Sequence, residues 1–81
     1  MSTLAVEPHP VAQNVECTDD DLVVSLVDGR KVTVPLVWFP RLAGATKTQL
    51  DNYELLGDGE GIHWPEIDED LSVAGLLRGD H

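Results

Sequence analysis

The chain has 81 residues, fifteen of them Asp or Glu and five Lys or Arg, for a formal net charge of −10. That length limits it to one domain, whose core hides only ~60% of the surface an unfolded chain exposes, and it excludes a deep cleft between two lobes. The charge disfavours direct contact with nucleic acid or an anionic membrane, both polyanions, and favours a basic partner drawn in by the field.

The single cysteine, Cys17, has no mate for an internal disulfide, whereas small secreted domains ordinarily carry several. The opening MSTLAVEPHP has no basic start and no apolar run, so it does not read as a signal peptide. No apolar stretch approaches the ~20 residues that span a bilayer. The expected location is therefore the cytoplasm.

Residues 1–10 read as a loose arm, because Pro8 and Pro10 deny regular hydrogen bonding. A single α+β domain is expected over residues 11–81. From Val11 a period of two begins, with Val11, Val15 and Cys17 on one side and Ala12, Asn14, Glu16 and Thr18 on the other. This pattern predicts a first strand. Asp19, Asp20 and Asp21 then suit a solvated turn.

DLVVSLVDGRKVTVPL, from Asp21 to Leu36, reads as a β-hairpin. A loop of Val27, Asp28 and Gly29 lets Gly29 take the left-handed conformation that this loop type requires. Leu26 then faces Arg30, Val24 faces Val32 and Leu22 faces Val34, which gathers five apolar residues on one face. A shorter loop at Asp28-Gly29 would pair Val24 with Thr33, and the buried face decides against it. Pro35 marks the strand's end or an edge.

Pro40 suits the first turn of a helix, with Phe39 extended before it, so residues 41–44 are expected to make one helical turn. Thr46 and Gln49 read as a capping box that opens a short helix over residues 47–52. Such a helix does not persist alone, and Leu42, Leu50 and Tyr53 are expected to pin it to the sheet. Residues 53–56 read as a strand, GDGEG as a turn and residues 62–64 as the returning strand, which Pro65 stops. Ser72 is the expected N-cap of a last helix, with Gly79 as its C-terminal cap. The predicted fold class is α+β, an antiparallel sheet built as a meander with short helices against it.

Three blocks of this sequence resemble a known family. DGRKVTVPLVWFPRL, the following AT..Q...Y and GIHWPEIDEDLSVAGLL are similar to domain-of-unknown-function family twenty-four forty-two, over roughly residues 11–79. The resemblance implies a small bacterial protein that often lies beside, or is fused to, another small bacterial protein, as in type II toxin-antitoxin pairs. It carries over no catalytic residues. Lys47 stands where relatives commonly have proline.

GIHWPEIDED, residues 61–70, sets a histidine, a tryptophan and a proline beside four carboxylates. A metal site would use His63 with Asp68, Glu69 or Asp70, but zinc sites take three or four His or Cys ligands and only His63 qualifies. In a strand, His63 also points away from its neighbours Ile62 and Trp64. GDGEG lacks the twelve-residue frame of a calcium loop and the lysine of a nucleotide loop. An acid-base pair of His63 with a carboxylate has no nucleophile or pocket beside it in the sequence. No cofactor is implied. Asp68, Glu69 and Asp70 are expected just before the last helix, where its dipole favours negative charge.

Trp38, beside Pro40 and Arg41, is the preferred anchor for a partner, since Trp and Arg are enriched at binding hot spots. Arg41 is also expected to pair internally with the carboxylate of Asp68 or Asp70. The candidate partner-binding residues are thus Trp38, Arg41, His63, Asp68, Glu69 and Asp70. The leading expectation is an acidic, antitoxin-like interaction protein that covers a basic partner, with strand addition at a sheet edge as one mode. The alternatives are a self-associating scaffold module, a homo-oligomer, and a small metal or acid-base enzyme using His63 and the nearby acids.

Overall fold

The computed structural model describes residues 10–79. The arm expected over residues 1–10 lies outside the described residues except for Pro10, as do His9 and His81. Strands β1 (Ala12–Cys17), β2 (Asp21–Leu26) and β3 (Lys31–Pro35) form one antiparallel sheet in the order β1-β2-β3. A 3-10 turn (Leu36–Trp38) and helices α1 (Pro40–Ala43) and α2 (Lys47–Asp51) lead to a second antiparallel sheet. Its strands β4 (Glu54–Leu56), β5 (Gly61–Trp64) and β6 (Glu69–Ser72) lie in that order, and helix α3 (Val73–Arg78) follows directly. The class is α+β as expected, with the strands divided between two sheets.

The first hairpin has the register its buried face requires. Leu22 faces Val34 and Val24 faces Val32. The Leu26 N–H donates to the Arg30 carbonyl at 2.8 Å, and Gly29 holds φ 98°. Leu22, Val24, Leu26 and Val34 are buried, and Val32 packs against them.

Strand β1 departs from the simple alternation. Ala12, expected on the outer face, is buried in the core together with Val15 and Cys17. The cause is a bulge: Ala12 faces Leu26, but Asn14 already faces Ser25. One extra residue on β1 reverses the alternation, so Ala12 and Val15 share a face.

The helices are anchored as their sequences dictate. Thr46 Oγ1 accepts from the Gln49 N–H at 3.1 Å, and Gln49 Oε1 accepts from the Thr46 N–H at 3.0 Å, the reciprocal capping box. Phe39 is extended and Pro40 opens α1. Leu42 and Leu50 are buried, and Tyr53 packs against the core. The Tyr53 hydroxyl also accepts from the Val15 N–H at 3.2 Å, capping the outer edge of β1.

A second correction concerns residues 69–72, where the acids suggest an approach to the last helix. They form a third strand instead, pairing Ile62 with Leu71, His63 with Asp70 and Trp64 with Glu69. Leu71 is partly covered while Asp70 and Ser72 are exposed, an alternation of period two. The chain reverses before β6 through residues 65–68, where Asp68 adopts φ 53°. Consequently the acids do not occupy the first turn of α3, which has no acidic residue there; Ser72 caps it by accepting from the Gly75 N–H at 3.2 Å. Gly79 closes the helix in the left-handed conformation.

Both sheets feed one core. Ile62 and Trp64 point inward from β5 and are fully buried, Ile62 contributing about 1.5–3 kcal/mol relative to exposure and the larger Trp64 more. The Trp64 indole N–H donates to the Leu50 carbonyl at 3.1 Å, so the buried ring leaves no orphan donor. Gly59 joins the sheets: its carbonyl accepts from the Ala12 N–H at 2.7 Å. The GDGEG turn is therefore also the joint between β1 and the second hairpin. On the last helix Val73 and Leu76 are buried, but Leu77 is 40% exposed.

Candidate interaction site

The 3-10 turn and α1 run alongside the outer edge of β6 and leave a groove of about 510 Å³ between them. Trp38, Phe39 and Pro40 form one wall and the β6 residues the other, with α3 contributing Leu76 and, at one end, Arg78. Phe39 is buried, and Trp38 is partly covered. The two rings meet edge to face, with centroids 6.5 Å apart and planes at 66°. That contact holds the Trp38 ring beside the groove, as aromatic quadrupoles favour. Three of the expected partner-binding residues, Trp38, Glu69 and Asp70, thus line one groove.

His63 joins this group indirectly. It stands opposite Asp70 on the adjacent strand, and its Nδ1 lies 2.5 Å from Asp70 Oδ1. On its other side it stands opposite Glu54. Residues directly opposite in antiparallel strands share a face, so Glu54, His63 and Asp70 form a row across the outer face of the sheet. His63 therefore ties the groove's edge strand to the strand behind it, which gives it a structural role. Glu54 had a legible signal, since closing the second hairpin at Leu56 and Gly61 sets it opposite His63.

Arg41 corrects the expected pairing with a carboxylate. Its Nη1 donates to the backbone carbonyls of Asp68 at 2.7 Å and Ile67 at 3.5 Å. No carboxylate pairs with Arg41 among the described residues. The reason is the Asp68 backbone: the turn presents its carbonyl to α1. Arg41 thereby fixes the turn that delivers β6 to the groove. Neighbouring Asn52 braces the same turn, donating from its side chain to Glu66 at 2.8 Å.

No set of three or more His, Cys, Asp or Glu side chains among the described residues comes together to hold a metal ion. Cys17 is free and buried at 5% exposure, and burial pushes its thiol above the ordinary value. Its thiolate is accordingly disfavoured in the folded protein. No helix among the described residues is long and apolar enough to cross a membrane.

The fold defines a class, a small α+β domain of two three-stranded antiparallel sheets with short helices packed on them. The chain belongs to the family described as Protein of unknown function (DUF2442), whose family model matches residues 12–81. A crystal structure of a protein of unknown function from Rhodospirillum rubrum is similar, with a TM-score of 0.76 and 33% identity over 90% of each chain. A solution structure of an uncharacterized protein from Chromobacterium violaceum is also similar, with a TM-score of 0.72 and 27% identity. That match covers 85% of this chain and 65% of the other. No curated protein matches. Neither the family nor these structures indicate an enzymatic activity.

Proposed function

We propose that this protein is a cytoplasmic interaction domain that binds a basic protein partner through the groove beside Trp38, as an antitoxin covers its toxin. One observation carries the reading. Trp38 on one wall and the acids Glu69 and Asp70 on the other converge on a single groove. An aromatic anchor facing two acids, with Arg78 also on the groove, gives a partner both a seat and an orientation. The formal charge of −10 adds long-range attraction for a basic surface. The same charge works against a second copy of the chain, which would bring acid against acid. The buried, free Cys17 fits a reducing compartment. The pairing with a toxin draws on the family resemblance.

The test is co-expression with the products of the genes that flank this one, followed by size-exclusion chromatography and calorimetry. The expected complex weakens as salt rises from about 50 to 300 mM, because screening shortens the reach of surface charge. Trp38→Ala is expected to weaken it about tenfold or more, as at a hot spot. Absence of a complex, or a complex indifferent to both Trp38→Ala and the Glu69→Gln/Asp70→Asn pair, overturns the reading.

A further inference from the structure

We infer that the outer edge of β6 is a docking strand, which binds an extended basic segment of the partner as a fourth strand of the second sheet. The inference rests on the proposed interaction reading and specifies its geometry.

The direction of the backbone groups on β6 follows from one hydrogen bond. The Val73 N–H donates to the Glu60 carbonyl at 3.0 Å, one step beyond the pairing of Gly61 with Ser72. Along an antiparallel pair, hydrogen-bonded and non-hydrogen-bonded positions alternate. Leu71 and Glu69 therefore turn their backbone groups toward β5, and Asp70 turns its N–H and carbonyl outward. Just before the strand, the Asp68 carbonyl in the turn meets Arg41. Arg41 closes one end of the edge, and the start of α3 at Ser72 closes the other. Between them, Asp70 offers a donor and an acceptor toward the groove.

The remaining edges suit a basic strand less well. On β1, the Val15 N–H is taken by Tyr53 and the Ala12 N–H by Gly59. Strand β3 begins with Lys31 and ends in Pro35, so it repels a basic segment and lacks a donor at its end. Strand β4 spans only Glu54–Leu56. Strand β6 combines an outward donor and acceptor at Asp70 with two acids and an apolar wall at Trp38 and Phe39. An incoming strand fits if it alternates basic residues, on the outer face that Asp70 shares with His63, with apolar residues on the other face, toward Leu71, Trp38 and Phe39.

The probe is the peptide acetyl-Lys-Val-Arg-Val-Lys-amide, compared with the same peptide N-methylated along its backbone. Both carry the same charges and side chains, but only the first has backbone donors. Titration into the full chain is followed by amide NMR shifts and hydrogen exchange. The expected result is binding of the first peptide with about tenfold slower exchange at the Asp70 amide. The methylated peptide should bind about tenfold more weakly, the effect of losing the hydrogen bond to the Asp70 carbonyl. Asp70→Pro removes the outward donor without touching the ladder to β5, and should weaken binding beyond Asp70→Ala. Equal affinity for both peptides, or no binding of either, overturns strand addition. The co-expression assay reports separately on whether a basic partner binds at all.

Discussion

His63 and Asp70 face each other across β5 and β6, with Nδ1 of the imidazole 2.5 Å from Oδ1 of the carboxylate. The backbone alternation explains the closeness, since this is a non-hydrogen-bonded pair, where side chains stand nearest. The Asp70 side chain is 66% exposed, so solvent limits what the contact is worth. A double-mutant cycle with His63→Ala and Asp70→Ala should give a coupling of about 0.5–1 kcal/mol in urea unfolding. Additive single and double variants would show that the contact contributes nothing to stability.

Gly59 has no tolerance for a side chain. It holds φ +112°, and an added Cβ would lie 2.4 Å from the Ala12 carbonyl oxygen. The backbone cannot yield there, because the same two residues share the hydrogen bond that joins the sheets. Gly59→Ala is expected to cost about 3 kcal/mol or more, combining strain with a broken joint. Gly57→Ala, at φ 61° with nothing within 4 Å of the new carbon, should cost only about 1 kcal/mol. Equal losses in chemical denaturation would remove the proposed role of Gly59.

Lys47 offers a stabilising change. It is the first residue of α2, where proline's fixed φ and missing N–H are both tolerated. Thr46 before it sits at φ −77° and ψ 163°, a conformation that a following proline accepts. The ion pair lost is that of Lys47 with Asp51 at 3.2 Å, with both side chains more than 60% exposed, which is worth little. Lys47→Pro should therefore raise stability by about 0.5 kcal/mol, seen as a higher thermal midpoint.

Acid should erase one loop contact. The Asp28 carboxylate accepts from the Arg30 N–H at 3.0 Å and from Arg30 Nε at 2.8 Å. The backbone hydrogen bond first, then the guanidinium, hold its carboxyl below the ordinary 3.8. A depressed folded value contributes stability above the unfolded value, and that contribution is lost as pH falls through the folded value. Asp28→Ala should thus lower the thermal midpoint slightly at about pH 6, with the gap closing once the pH drops below the carboxylate range. A gap that widens in acid would reverse the assignment.

The candidate site was legible in pieces. Trp38, Glu69 and Asp70 could be named from composition and local chemistry, but their convergence needed β6 to be a strand. The alternation of Glu69, Asp70, Leu71 and Ser72 is present in the sequence, yet a run of acids before a helix cap points the other way. Arg41 illustrates the opposite case: its side chain could be paired with either of two carboxylates on paper, while the turn at Asp68 offered a carbonyl instead.

What the sequence by itself determined was local: the Gly29 loop and its register, the Thr46–Gln49 box, the Pro40 start and the Gly79 cap. Each depends on residues within a few positions, where φ preference and hydrogen-bond reach leave one arrangement. The tertiary structure alone decided the bulge that buries Ala12, the Gly59 joint, the strand character of residues 69–72 and the pairing of His63 with Asp70. Those depend on which segment lies opposite which. That choice is made by burying Ile62 and Trp64 in a core shared by both sheets, a condition that no short stretch of chain contains.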